Sequence, residues 1–447
     1  MKDLTTGNSA KVILHFAIPM LIGNVFQQLY NVVDSIIVGN FLGKEALSAV
    51  GASFPVMFAL ISLVIGIATG STIIISQYFG AKDYAKVKTA IDTMYLVIFI
   101  ASVLVSIVGI YFSEAIFRLI ELPDDILPQA TNYLNIILAG IVMMFGSSGT
   151  NAILRGLGDS KTPLYFLIFA SILNIVFDLL FVVVFKMGIE GVAYATVLAQ
   201  AVAFFAAVIY LNKYHELIHI SLKTFKFDKE IFVKSVKIGL PSGIQNMVVA
   251  IGMVAIYRIV NQFDTDVIAA YSVAGRIDSF AIMPAMNFAM ALTTFTGQNM
   301  GAGKLLRVKE GLKATLLMTS VISVFFTFVS ILFGRFLMSI FTPEINIQQI
   351  GYEYLIIVSS FYIVFSAMFA ITSVFRGAGD TLVPMFITLF ALWFIRIPFS
   401  WMLSDKIGET GIWWGIPIAW AFGLAFSTIY YFTGRWKRKV VVKHNKL

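Results

Sequence analysis

The chain has 447 residues, no cysteine, 59% hydrophobic residues and 13% charged ones. A soluble globular chain carries about 25% charged residues, so half the charge needed to cover a water-facing surface is missing. That excludes most soluble enzyme folds, disordered chains and disulfide-stapled secreted domains, and it leaves a polytopic membrane protein.

The polar start MKDLTTGNSAK precedes an apolar run from Val12 to Val38. This run is too long for the core of a signal peptide and lacks a small-residue cleavage site. A spanning helix needs roughly 20 apolar residues. Stretches of that length are expected near 12–38, 50–78, 88–112, 130–153, 162–186, 190–212, 234–260, 267–297, 309–340, 351–375, 382–404 and 410–434. Period-two alternation is absent and the runs are too long for barrel strands, so all twelve are read as helices.

The formal charge of +8 is an orientation signal. With a cytoplasmic N-terminus, 24 of the 32 basic residues fall at inner ends and tails, while the outer loops hold Lys44, Arg118, Lys186, Arg335 and Lys406. Such a bias places both termini on the cytoplasmic side of the cell membrane and removes the case for nucleic acid. The tail RWKRK at 435–439 then reads as a juxtamembrane anchor to anionic lipid.

Helix 1 carries Asn24, Gln27, Asn31 and Asp34 at three-to-four spacing, hence on one face. A polar stripe on a spanning helix faces protein or water, not lipid. On helix 5, Asn174 and Asp178 share a face at i, i+4. Interhelical hydrogen bonding is the plainer explanation for Asn174 alone. Two carboxylates in one bundle without a base in its spans point instead to ion binding. They repel each other unless one holds a proton or a cation lies between them, so either H+ or Na+ at Asp34 and Asp178 fits. Asp92 is expected at the interface, near the inner end of helix 3.

The second half carries Arg258, Arg276, Asp278 and Arg396 within its spans. The expectation is that Asp278 is neutralised by Arg276 or Arg396, with direct substrate or ion binding as the rival. Pro19 and Pro241 sit early in helices 1 and 7, where proline either bends a helix or occupies its first turns. Met247, Met253, Met283, Met286, Met290 and Met300 suit either core packing or an adaptable binding surface.

The halves repeat at an offset near 221. Arg155-Gly-Leu-Gly-Asp-Ser-Lys-Thr-Pro163 recurs as Arg376-Gly-Ala-Gly-Asp-Thr-Leu-Val-Pro384, Gln77-Tyr-Phe-Gly-Ala81 as Gln298-Asn-Met-Gly-Ala302, and Tyr133-Leu134 as Tyr354-Leu355. Six spans per half means that both halves insert from the same side, as parallel repeats. The expected organisation is an N-lobe at 1–212, a cytoplasmic linker at 213–233, a C-lobe at 234–434 and a basic tail at 435–447. The fold class is all-α, with twelve helices in two pseudo-twofold-related six-helix bundles. That layout suits alternating access.

Two motifs fail. GLGD at 156–159 and GAGD at 377–380 match a short pattern of intramembrane aspartyl proteases, but they stand in inner loops before prolines and read as turns. His15, His215, His219 and His444 do not form a zinc motif, and a Walker A sequence is absent.

Over essentially its full length the chain resembles the multidrug and toxic compound extrusion (MATE) transporters. The residues that carry the resemblance are IPMLIGNVFQQLYNVVDSIIVG, QYFGA, NAILRGLGDSKTP and LNIVFD. The resemblance implies a cation-driven exporter of organic, often cationic, compounds. It implies a coupling-ion site of Asp34, Asn174, Asp178 and Thr196, with Gln27, Tyr30 and Asn151 beside it. Branches with acids in helices 7 and 10 differ, because 234–260 and 351–375 hold only Glu353. The expected protein is a monomeric secondary antiporter, not an enzyme, whose partners are a small organic molecule, lipid and a coupling ion without further cofactor. A lipid-linked oligosaccharide flippase is the competing reading, kept open by the three buried arginines.

Overall fold

In the computed structural model, residues 3–215, 218 and 225–442 are described. They form helices without a strand. The order is α1 (Ser9–Gly80), α2 (Tyr84–Leu119), α3 (Leu127–Ala139), α4 (Ile141–Gly156), α5 (Lys161–Asp178), a π segment (Leu179–Val184), α6 (Gly188–Tyr214) and α7 (Lys229–Val260). There follow α8 (Thr265–Gly301), α9 (Leu305–Ser339), α10 (Ile345–Ser359), α11 (Tyr362–Ala378), α12 (Leu382–Leu389), a second π segment (Phe390–Arg396), α13 (Ile397–Ile407) and α14 (Glu409–Thr433).

The twelve expected spans map onto these elements. α1 runs 72 residues, and Gly43 breaks it with φ 84° and ψ −174°, a conformation open to glycine. The first two spans lie on either side of that break. α3 and α4 meet at a 54° bend, α10 and α11 at a 47° bend, and each bent pair completes one crossing. A π segment interrupts the fifth and eleventh spans without ending them.

Contacts divide the chain into two compact units. The first is built mainly from Ile18–Gly243, the second from Leu4–Ala17 with the chain from Ile244 onward. This differs from the expected lobe limits at both ends. Leu4–Ala17 belongs with the second half, for a visible physical reason. Leu4 N–H donates to Gln298 Oε1 at 3.0 Å, Lys304 Nζ to Thr5 O at 2.9 Å, and Arg307 Nη1 to Gly7 O at 2.7 Å. These bonds satisfy the backbone of Leu4, Thr5 and Gly7, which precede the first turn of α1.

The start of α7 belongs with the first unit because glycines let it approach the last part of α1. A Cβ on Gly66 would lie 2.6 Å from both Gly239 O and Gly243 N. Such close crossings need small residues. The chain just before α7 is also held there. Asp92 is 1% exposed and accepts from Lys226 N–H at 3.4 Å, with Lys88 Nζ at 4.0 Å. Part of the expected linker, and His219 and His444, lie outside the described residues.

The two GxGD sequences are helix-entry turns. Gly158 and Gly379 take positive φ (79° and 98°). Asp159 Oδ1 caps α5 by accepting from Lys161 and Thr162 N–H at 3.0 Å, and Asp380 Oδ2 accepts from Tyr430 Oη at 2.5 Å. Both carboxylates are occupied by structural bonds.

Candidate functional site

α1, α5 and α6 build the polar centre of the first unit. On α1, Gln27, Tyr30 and Asp34 are half-buried on one face, while Asn24 and Asn31 are exposed at its margin. Asp178 is the last residue before the first π segment, and it and Asn174 are buried, at 0% and 2% exposed. π-turns insert an extra residue into a helix and recur at functional sites. Phe177, Phe181 and Phe185 stack along this stretch, with centroids 5.8 and 6.0 Å apart, which stiffens it.

The carboxyl groups of Asp34 and Asp178 face each other. In the amide orientation that satisfies both neighbours, Asn174 Nδ2 donates to Asp178 Oδ2 at 2.7 Å and Asn174 Oδ1 accepts from Thr196 N–H at 3.2 Å. Thr196 Oγ1 in turn donates to Val192 O at 3.1 Å. The Tyr30 phenol lies beside Thr196 and both carboxylates. Asp34 Oδ1 and Asp178 Oδ1 are buried without a hydrogen-bond partner, and the ion pairs among the described residues include neither acid. The site is thus an acid pair with acceptor capacity to spare and no base to neutralise it.

Tyr133 joins this group, its phenol facing Asp34, Asp178 and Tyr30. Sequence reasoning gave it no role, although its recurrence as Tyr354 was the available signal. Two further expected residues lie in an adjoining open cavity of about 170 Å³ within the same unit. Gln27 and Asn151 line it together with Asn24, Pro19, Ser148 and Arg155. Its volume is below that of drug-sized sites, roughly 300–1,000 Å³. Pro19 is part of the cavity wall, and α1 stays helical through it.

The charges of the second unit are arranged differently. Arg258 and Arg276 are exposed, whereas Asp278 and Arg396 are half-buried. Among the described residues no ion pair within 4.0 Å includes any of these four, although the charge of Arg396, one of the two expected partners, acts on Asp278. Arg276 is two positions from Asp278 on α8, and residues at i, i+2 do not share a helix face. Met300 is buried and Met283 half-buried, as core packing expects, whereas Met247, Met253, Met286 and Met290 are exposed.

The MatE family profile matches residues 19–180 and again 241–402. Both matches begin at the paired prolines, Pro19 and Pro241, one in each half. The chain belongs to the MATE family of membrane transporters. It is 34% identical to the probable multidrug resistance protein YpnP of Bacillus subtilis (strain 168), over 97% of each chain. It is 32% identical to the probable multidrug resistance protein YoeA of the same organism, over 96% of this chain and 94% of that one. Among solved structures, a MATE transporter in complex with MaD3S superposes with a TM-score of 0.90 at 25% identity, over 98% of both chains. The twelve-helix, two-lobe architecture is therefore that of the MATE fold.

Proposed function

We propose that this MATE transporter exports amphipathic organic compounds, cationic ones in particular, in exchange for H+ or Na+ by alternating access. The observation that carries this reading is the pair of facing, unneutralised carboxyl groups of Asp34 and Asp178 inside the spans. An acid pair in a poorly hydrated site binds a cation or a proton strongly and relaxes when it leaves. The names of the relatives YpnP and YoeA support a multidrug range, and the polar cavity beside the acids supports an organic substrate with hydrogen-bonding groups.

The Asn174 amide serves either ion: with its N–H turned to Asp178 it supports a proton held on the acid pair, and with its oxygen turned to Asp178 it offers a further ligand to Na+.

The test is efflux of a fluorescent organic cation from proteoliposomes under an imposed pH or sodium gradient. The proposal expects one of the two gradients to drive efflux and Asp34→Asn to abolish the drive. Wild-type behaviour in Asp34→Asn would overturn the assignment of the coupling site. Scrambling of lipid-linked sugar without gradient-driven efflux would replace the proposal with the flippase reading.

A further inference from the structure

The repeat places an arginine in the last turn of one helix in each half, Arg155 in α4 and Arg376 in α11. Their surroundings differ. In the second unit Arg376 Nη2 donates to Gln245 Oε1 at 3.0 Å, and Gln245 Nε2 donates to Thr388 Oγ1 at 2.7 Å. The chain itself supplies the guanidinium with an acceptor there, and the Gln245 side chain that does so is buried.

In the first unit that acceptor is missing. Gln245 stands four residues after Pro241, and four residues after Pro19 stands Gly23. The facing residues agree with this register. A Cβ on Gly23 would meet Leu167 Cδ2 at 3.4 Å, and Leu167 is the counterpart of Thr388 at the offset of 221. Glycine thus takes the place of the glutamine, and leucine that of the threonine. Where the second unit has the Gln245 side chain, the first has open space: Gly23, Leu167 and Arg155 all line the cavity of about 170 Å³.

Arg155 is half-buried, and its guanidinium carries five N–H donors and a fixed charge. Among the described residues no ion pair includes it, and it donates to none of them. No acid lines the cavity. Asp159, the acid nearest in sequence, is engaged elsewhere: its oxygens accept from Lys161 and Thr162 N–H and from Thr162 Oγ1 at 2.6 Å. Asp34 stands seven residues, two helical turns, beyond Gln27 on α1, so the acid pair is not part of the wall.

Water in the cavity satisfies N–H groups but leaves the charge uncompensated, and an uncompensated charge within a span is costly. The cavity is well above the ~10–15 Å³ that one water needs and below the roughly 300 Å³ of a drug-sized site, so it suits an occupant of a few heavy atoms. The other polar groups of the wall include the side chains of Ser148, Asn151 and Ser160, each able to donate. We propose that the first unit binds a small monovalent anion, a carboxylate or a halide, in this cavity, with Arg155 as its counter-charge. The anion stands where the amide oxygen of Gln245 stands in the second unit. The inference rests on Arg155 and Gly23 and not on the acid pair that carries the export reading.

The test is the line width of the chloride NMR signal, which broadens when chloride exchanges on and off a slowly tumbling protein. Potassium chloride is titrated with the purified full-length protein in a neutral detergent, without sodium and without a gradient, so failure of the coupling proposal does not affect the result. The wild type should broaden the line. Potassium acetate should reverse the broadening, and acetamide, with the shape of acetate but no charge, should not. Arg155→Gln should lower the chloride affinity roughly tenfold or more, the scale of a hydrogen bond to a charged group. Gly23→Gln should do the same with the positive charge intact, because its amide brings the acceptor that Gln245 brings in the second unit. The new Cβ meets Leu167 and Leu164 side-chain atoms at 3.4 and 3.6 Å, ordinary contact distances. If Arg155→Gln fails to fold, Gly23→Gln decides alone. A wild type that leaves the line sharp, broadening that acetamide reverses as well as acetate does, or broadening undiminished in Gly23→Gln would overturn the proposal.

Discussion

At its polar centre the first unit gathers two acids and no base; the second holds one acid and one base, kept apart. Under the repeat, Asn174 corresponds to Ile395 and Asp178 to Phe399, so the acid pair has no counterpart in the second half. Asp278 comes from α8, and the first-half residue at its position is Met57. What recurs is the frame around the charge. Tyr133 stands beside Asp34 and Asp178, and its counterpart Tyr354 stands beside Asp278. A bent helix pair occurs in each half, and in each a π segment abuts the ionisable residue, Asp178 in one and Arg396 in the other. The duplicated scaffold offers each unit a braced place to bury polar groups. Which charge occupies that place differs.

The sharpest way to break this comparison is to move the loss of charge from one unit to the other. Asp34→Asn should erase the coupling between proton and substrate affinity, an effect of roughly 5–150-fold for a typical linked pair. Asp278→Asn should leave that coupling intact. Substrate affinity titrated at high and low pH measures both, and loss of coupling in Asp278→Asn would show that the two units do not divide the work.

Packing gives the next largest effect. Gly66→Val places a side chain against the backbone of Gly239 and Gly243, where overpacking costs about 1–3 kcal/mol or more. Gly275→Ala, with nothing within 4 Å of the new Cβ, should leave the thermal midpoint of the solubilised protein unchanged. Arg307→Ala removes bonds to the carbonyls of Gly7, Thr6 and Leu4, and at about 0.5–1.5 kcal/mol per net bond it should lower the same midpoint by a smaller amount.

The smallest expected effects come from the paired tyrosines. Tyr133→Phe should shift the pH at which export is half-maximal, and Tyr354→Phe should not, each change being worth about 0.5–1.5 kcal/mol. Initial rates across a pH series separate the two. Equal shifts would mean that the phenols act through the shared scaffold and not through the charges beside them.

The twelve spans were legible because lipid demands long apolar runs, and the two halves because their loop motifs repeat. The Asp34 and Asp178 site was legible in part: spacing put each acid on a polar face, and resemblance supplied Thr196. What remained hidden depends on a few ångströms or on distant partners. Whether Asp278 pairs with Arg396 is decided by rotamers and by the π segment, which leave no periodic trace. The assignment of Leu4–Ala17 to the second unit was invisible because its polar residues have no pattern and their partners, Gln298, Lys304 and Arg307, lie about 300 positions away. The cover that the chain at Lys226 gives to Asp92 was likewise invisible, because it is distant in sequence.

That distant pairing also sets an order of assembly. Residues 4–17 leave the ribosome before any of their partners exist, and more than two hundred residues are made before the second unit begins at Ile244. Domains of a growing chain ordinarily close in the order in which they are made. Here residues 4–17 are made before the first unit and wait through its synthesis, and the second unit is finished only when they join it.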